Sequence, residues 1–169
     1  MKTRRAIIAS ALALLAAAAT AQDGQALRSL HHGEVLFHHY QPRWVAALGS
    51  LMASQHFGRL SPHEADAELL RGGLLLDWGQ HDEAAAVFER VAGDQPAHRD
   101  RAWTLLAKAR WQRGRVAEAD AALARVRAPL PGALDDERLL LLALVHLAQG
   151  RPAEAATALQ PLAARTPVA

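Results

Sequence analysis

Leu69–Pro96 reads LLRGGLLLDWGQHDEAAAVFERVAGDQP, and its register returns twice further along the chain. Aligning Gly79, Gly114 and Gly150 aligns their surroundings. Four and five residues after each glycine stands Glu-Ala: Glu83-Ala84, Glu118-Ala119 and Glu154-Ala155. Nine after is a large apolar residue, Phe88, Leu123 or Leu159, and twelve after is Val91, Val126 or Leu162. Seventeen after is a proline, Pro96, Pro131 or Pro167, and seven before is a small residue, Gly72, Ala107 or Ala143. Gly79 to Gly114 is 35 residues and Gly114 to Gly150 is 36. A register shared at six offsets with such a period marks a repeat array.

Each unit holds an apolar helical stretch, a glycine, a second helical stretch and a proline. The glycine stands where the first helix stops and the chain reverses, a left-handed backbone position that favours Gly. The small residue seven before it lets two antiparallel helices approach closely. Ala84, Ala119 and Ala155 then fall early on the second helix, facing the first, and the apolar residues at plus nine and plus twelve continue that face. The proline cannot continue a helix and ends the connection. Such a pair cannot bury its own apolar side, so it stacks on its neighbours.

The pattern resembles the tetratricopeptide repeat, a helix–turn–helix unit of about 34 residues. The resemblance spans about Ala65–Pro167 and is best in the second half of each unit. In the first halves, the early aromatic of the family is matched by Trp103, while Glu68 and Leu139 hold that place elsewhere. The aromatic four before the turn glycine is replaced by Leu75, Arg110 and His146. The resemblance implies an all-α fold, a right-handed α-solenoid of antiparallel helix pairs. It also implies a concave groove lined by the first helix of each unit. The groove positions carry over to Asp66, Leu69, Gly73 and Leu76 in the first unit, and to Arg101, Thr104, Lys108 and Trp111 in the second. In the third they carry over to Glu137, Leu140, Leu144 and Leu147. This is an apolar trough with two cations near its middle, suited to an apolar or amphipathic peptide whose carboxylate meets Arg101 and Lys108. The alternative is that the leucines are core between units and the cations a solvated edge.

Residues 1–21 read as a cleavable signal peptide. Lys2, Arg4 and Arg5 precede an apolar run, Ala6–Ala19, broken only by Ser10, and Ala19-Thr20-Ala21 is a small-x-small cleavage site before Gln22. The run is shorter than the roughly 20 residues a membrane span needs. Cleavage after Ala21 predicts a periplasmic protein. With no cysteine in the chain, a lipid anchor on cysteine and disulfides are both excluded. The leader carries three of the 19 basic residues and none of the 17 acidic ones, so the processed chain has 16 against 17, or −1. That balance gives nucleic acid no electrostatic support as a partner. Nothing after the leader is apolar enough for a span; Leu139–Leu147 is short and interrupted by His146.

Residues 22–60 read as a degenerate N-terminal helix pair, Gln25–Tyr40 and Trp44–Phe57, with Pro42 at the second start and Gly58 at its end. Setting Gln41 at the turn-glycine position puts Ala46 at the alanine position. Residues 61–169 form three repeats, at about 65–98, 100–133 and 136–169. Ser61, Pro62 and Glu64 read as a cap, a first-turn proline and a capping box for a helix running to about Trp78. Gly93 reads as a C-cap. Asp100–Gln112, Val116–Arg127, Asp135–Gln149 and Pro152–Ala164 are the later helices, with Ala128–Gly132 as linker, which predicts about eight helices and no strand. The chain stops just after Pro167 without a polar capping helix, which reads either as a truncated product or as a last face, at Leu159 and Leu162, that docks on a partner or a second copy.

His31, Glu34 and His38 share one helix face, and His32 and His39 form a parallel pair. Positions seven apart lie about 10 Å apart along a helix axis, too far for both histidines to share one ion. The metal expectation is therefore none, and the polar helix is read as solvated. No phosphate-binding glycine loop, nucleophile elbow or cysteine nucleophile is present, and Ser29, Ser50, Ser54 and Ser61 are the only serines after the leader. Asp135-Asp136-Glu137 and Asp82-Glu83 read as acids at helix starts, where the dipole favours them. The chain is thus expected to be no enzyme and to need no cofactor. It reads as an envelope scaffold or adaptor holding a protein or peptide. The alternatives are an assembly subunit docking by its end, a possible homo-oligomer, and a metal-responsive envelope protein.

Overall fold

A computed structural model describes residues 30–41, 43–127 and 130–165. The leader, Pro42, Ala128, Pro129 and Pro167 lie outside these residues. The chain divides into two compact units, Met1–Glu64 and Ala65–Ala169. Among the described residues there are eight α-helices, one 3-10 turn at Pro96–His98 and no strand.

In the first unit, helix α1 (Leu30–Tyr40) packs on α2 (Trp44–His56). Val35 is the buried residue of α1, and Ala47, Leu51 and Ser54 are those of α2. Because α2 starts at Trp44, positions i, i+4 and i+7 from Ala47 form its inner face. Ala46, expected at the small inner position, is one residue out of register and exposed. Gly58 follows α2 with φ +62°. The capping box at Ser61 does not form. The Leu60 carbonyl instead accepts the His63 N–H at 2.6 Å, the Ser61-Pro62 peptide is cis, and α3 starts only at Glu64. Pro62 therefore belongs to a turn, and Leu60 before it is buried.

The second unit contains α3 (Glu64–Asp77), α4 (His81–Asp94), α5 (Arg99–Gln112), α6 (Val116–Leu123), α7 (Gly132–Ala148) and α8 (Pro152–Arg165). They form three hairpins turning at Gly79, Gly114 and Gly150, whose φ values are +78°, +72° and +72°. The residue after each glycine donates its N–H to a carbonyl one turn inside the preceding helix. These bonds are Gln80 to Leu75, Arg115 to Arg110 and Arg151 to His146, at 2.8, 2.9 and 2.8 Å. This closure needs a left-handed residue between donor and helix, which an L side chain adopts only with strain.

The hairpins share one core. Leu69, Leu76, Phe88, Val91, Leu106 and Val145 fill it, with buried alanines on most facing turns. A Cβ on Gly72 would lie 2.4 Å from Cε1 of Phe88, so the ring occupies the space a side chain would need. At the same offsets the other two hairpins carry a buried Ala107 and Leu123, and a buried Ala143 and half-buried Leu159.

Several helix limits differ from the sequence expectation. Helix α6 stops at Leu123 rather than Arg127, so Val126 lies outside it. The chain turns there, with Arg125 and Val126 donating to the Ala122 and Leu123 carbonyls, and the Arg125 guanidinium lies 4.6 Å from the Trp103 ring centroid. Gly93 is inside α4, which continues to Asp94. Pro131 sits at the N-cap of α7 in extended conformation, so α7 begins three residues before Asp135. Trp78 is exposed in the turn after α3. Among the described residues no helix is long and apolar enough to cross a membrane.

Candidate interaction face

The first helices α3, α5 and α7 carry the expected groove positions, and burial sorts these positions into two kinds. Leu69, Leu76 and Thr104 are core, with at most 5% of each exposed, so they cannot line a groove. Their neighbours cover them, and the Thr104 hydroxyl is turned inward, donating to the Asp100 carbonyl at 2.9 Å. The first repeat therefore offers neither leucine to a groove, while Asp66 and Gly73 stay partly exposed. The face opens between the second and third, where Lys108, Trp111, Gln112, Glu137, Leu140 and Leu144 line a cleft of about 200 Å³ over Leu141. Leu140 is 50% exposed and Leu147 53%, with Leu144 between them, so α7 presents leucines at i, i+4 and i+7.

The two cations are already paired. Lys108 Nζ lies 2.6 Å from Glu137 Oε1, across the α5–α7 junction. Arg101 Nη1 lies 3.4 Å from Asp66 Oδ1, which His98 Nε2 also approaches at 3.3 Å. Both pairs are partly exposed, and a pair of this kind contributes at most about 1 kcal/mol. The open face is apolar, as expected of the trough, and its two cations each have an acidic neighbour within the chain.

A second pattern recurs at the junctions. The residues flanking Gly114, Arg113 and Arg115, both reach Asp82 of the preceding hairpin at 3.2 Å. The residues flanking Gly150, Gln149 and Arg151, both reach Asp120 at 3.0 Å. Asp82 therefore does more than favour a helix dipole. Arg110 also bridges hairpins, pairing with Glu89 of α4 and lying 3.6 Å from Glu118 of α6.

Two carboxylates are perturbed, both by arginines. Burial pushes the Asp135 carboxyl up, but hydrogen bonds from Arg138, Arg165 and the Leu130 N–H, with the Arg138 charge, outweigh it and hold it below the usual carboxylate range. Its side chain is 3% exposed, with Arg138 Nη2 at 2.8 Å and Arg165 Nη2 at 3.0 Å. Asp135 is therefore a buried clasp joining the start of α7, the end of α8 and the connector at Leu130, and not a solvated helix-start acid. Asp136 completes it by taking Arg165 Nη1 at 2.6 Å. Burial likewise pushes Glu68 up, and Arg71 and Arg90 outweigh it to lower the carboxyl. Both shifts report ion pairs that fasten helices together.

Several N-terminal histidines make ring contacts. The His32 and His63 rings stack with centroids 4.8 Å apart, and His39 meets Tyr40 and Trp44 edge-on at 5.3 and 5.5 Å. Among the described residues no three or more His, Asp or Glu side chains are grouped to hold an ion.

The spacing of the repeats predicted the turn glycines. It did not reveal Gln112 and Leu141 in the cleft, or the flanking-residue clamp, although basic or amide residues at glycine minus one and plus one in the last two units were a visible signal. No curated protein matches the chain. A family model described as tetratricopeptide repeat matches residues 75–135. That segment runs from the end of α3 to the first turn of α7 and includes the Lys108–Trp111 side of the cleft. With its stacked hairpins, this part of the chain is similar to the tetratricopeptide repeats, which generally mediate protein–protein interaction.

Proposed function

We propose that this is a non-enzymatic adaptor of the bacterial envelope, periplasmic after loss of residues 1–21, that holds a protein or peptide partner on the α5–α7 face. The observation that carries the reading is the exposed leucine stripe of α7, Leu140, Leu144 and Leu147, of which the first two line a cleft with Trp111. An apolar stripe at helical spacing beside an aromatic wall suits the apolar side of an amphipathic segment. Since Lys108 and Arg101 are balanced from within, the partner is held by apolar burial and not by carboxylate capture.

Replacing Leu140 and Leu144 with glutamate tests this. Both are exposed, so the fold should persist by circular dichroism. A partner cross-linked to the parent chain in envelope extract should be lost by this variant and kept by Arg125→Ala. Retention by the leucine variant would remove the reading. Recovery of a chain beginning at Gln22 from the periplasmic fraction, read by mass spectrometry, tests the placement separately.

Docking through the last hairpin has less to stand on. Leu159 and Leu162 are both half-buried, and the exposed positions of α8 include Ala153, Ala156, Thr157 and Gln160. No large apolar side chain of α8 is exposed to drive such docking.

A further inference from the structure

We propose that the tip of the first hairpin, where α1 turns into α2, is a docking site for an anionic phospholipid surface. Among the described residues, seven of the eleven large apolar side chains that are exposed lie between Leu30 and Phe57, so this short stretch is apolar where a solvated hairpin would be charged. At the tip the exposed set is Phe37, Tyr40, Trp44 and Val45, with Tyr40 79% and Trp44 41% exposed. Their rings are not scattered: His39 bridges Tyr40 and Trp44, and Phe37 lies against His38 with centroids 5.6 Å apart.

Residue type and charge select the occupant. Tyrosine and tryptophan sit at the level of lipid headgroups, with an apolar body inward and a polar edge in water. The α7 stripe, by contrast, is leucine only and suits a protein partner. From Leu30 to Phe57 the formal charges are Glu34 and Arg43, and the tip itself carries only Arg43. An apolar aromatic tip with one cation and no carboxylate complements a negatively charged leaflet. Helix α2, Trp44–His56, contains no Asp, Glu, Lys or Arg, so nothing charged has to leave water when its exposed side settles into the interface. Among the described residues neither helix is long and apolar enough to cross a bilayer, so the proposed contact is interfacial.

The test uses the chain beginning at Gln22, so that the apolar leader does not itself bind lipid. Co-sedimentation with vesicles of phosphatidylethanolamine and phosphatidylglycerol is compared with vesicles of phosphatidylcholine. Binding to the anionic vesicles is expected, and replacing Phe37, Tyr40 and Trp44 together with serine should lower partition by about tenfold or more. Arg43→Glu should weaken partition to anionic vesicles and leave partition to phosphatidylcholine unchanged. The Leu140→Glu, Leu144→Glu variant should partition like the parent, which keeps this surface separate from the protein-binding face. Unchanged melting of each variant excludes loss of fold. Absence of parent binding, or equal binding by the triple variant, overturns the proposal. So does a dimer by light scattering that the triple variant converts to monomer without vesicles, since the tip would then join two copies.

Discussion

The array from Glu64 to Arg165 and the hairpin from Leu30 to Phe57 are both built of paired helices, yet they meet solvent differently. In the array, acids and bases cross each junction between hairpins: Asp82 takes Arg113 and Arg115, Lys108 takes Glu137, and Asp120 takes Arg151. Its large side chains are mostly inside. In the N-terminal hairpin one carboxylate and one guanidinium serve 28 residues, and Phe37, Tyr40, Trp44 and Val45 face outward. The difference separates two uses of helical pairing. One fastens neighbours into a rigid stack, while the other supports a surface that is unfinished until something covers it.

Matched aromatic truncations should show the contrast most strongly. Phe88→Ala removes a fully buried ring and should cost about 3–5 kcal/mol in urea unfolding. Phe37→Ala removes an exposed ring and should change stability by no more than about 0.5 kcal/mol. Comparable losses at the two sites would erase the distinction.

The clasp comes next. Asp135→Ala leaves the partly buried Arg138 without its counter-charge and should cost about 3 kcal/mol. The folded carboxyl is held below its ordinary value, so its contribution is complete above about pH 4 and is lost as pH falls through the folded value. The gap in unfolding free energy between parent and Asp135→Asn should therefore close on acidification. A gap that widens instead would contradict the assignment.

Gly72→Ala should cost about 2 kcal/mol, because its methyl meets the Phe88 ring. Phe88→Leu, itself destabilising, should make the added methyl less costly, and a double-mutant cycle measures that coupling. The smallest effect in the array is expected at its exposed clamps. Asp82→Ala should cost under about 1 kcal/mol, and the loss should shrink in high salt.

The repeat was legible because backbone demands recur at fixed offsets. A left-handed turn at Gly79, Gly114 and Gly150 asks for the same residue each time, whatever surrounds it. Helix ends were less legible, since they depend on distant partners: α6 ends where Arg125 lies over Trp103, and α3 starts late because Leu60–His63 closes a turn. The groove was half legible. Equal offsets put Leu69, Leu76 and Leu140 on corresponding helix faces, but which of them stays open depends on how far the next hairpin covers it. Asp135 shows the same limit. Arg138 stands one turn away in sequence, but Arg165 is 30 residues off and meets Asp135 only when α7 and α8 pack.

The reciprocal sizes inside the hairpins limit how the chain can be rearranged. Grafting His81–Asp94 into the place of α6 would drive a phenyl ring against the methyl of Ala107, and the opposite graft would leave a hollow beside Gly72. The copies are alike enough to stack and too individual to serve as spare parts for one another, so each hairpin has its own address in the row.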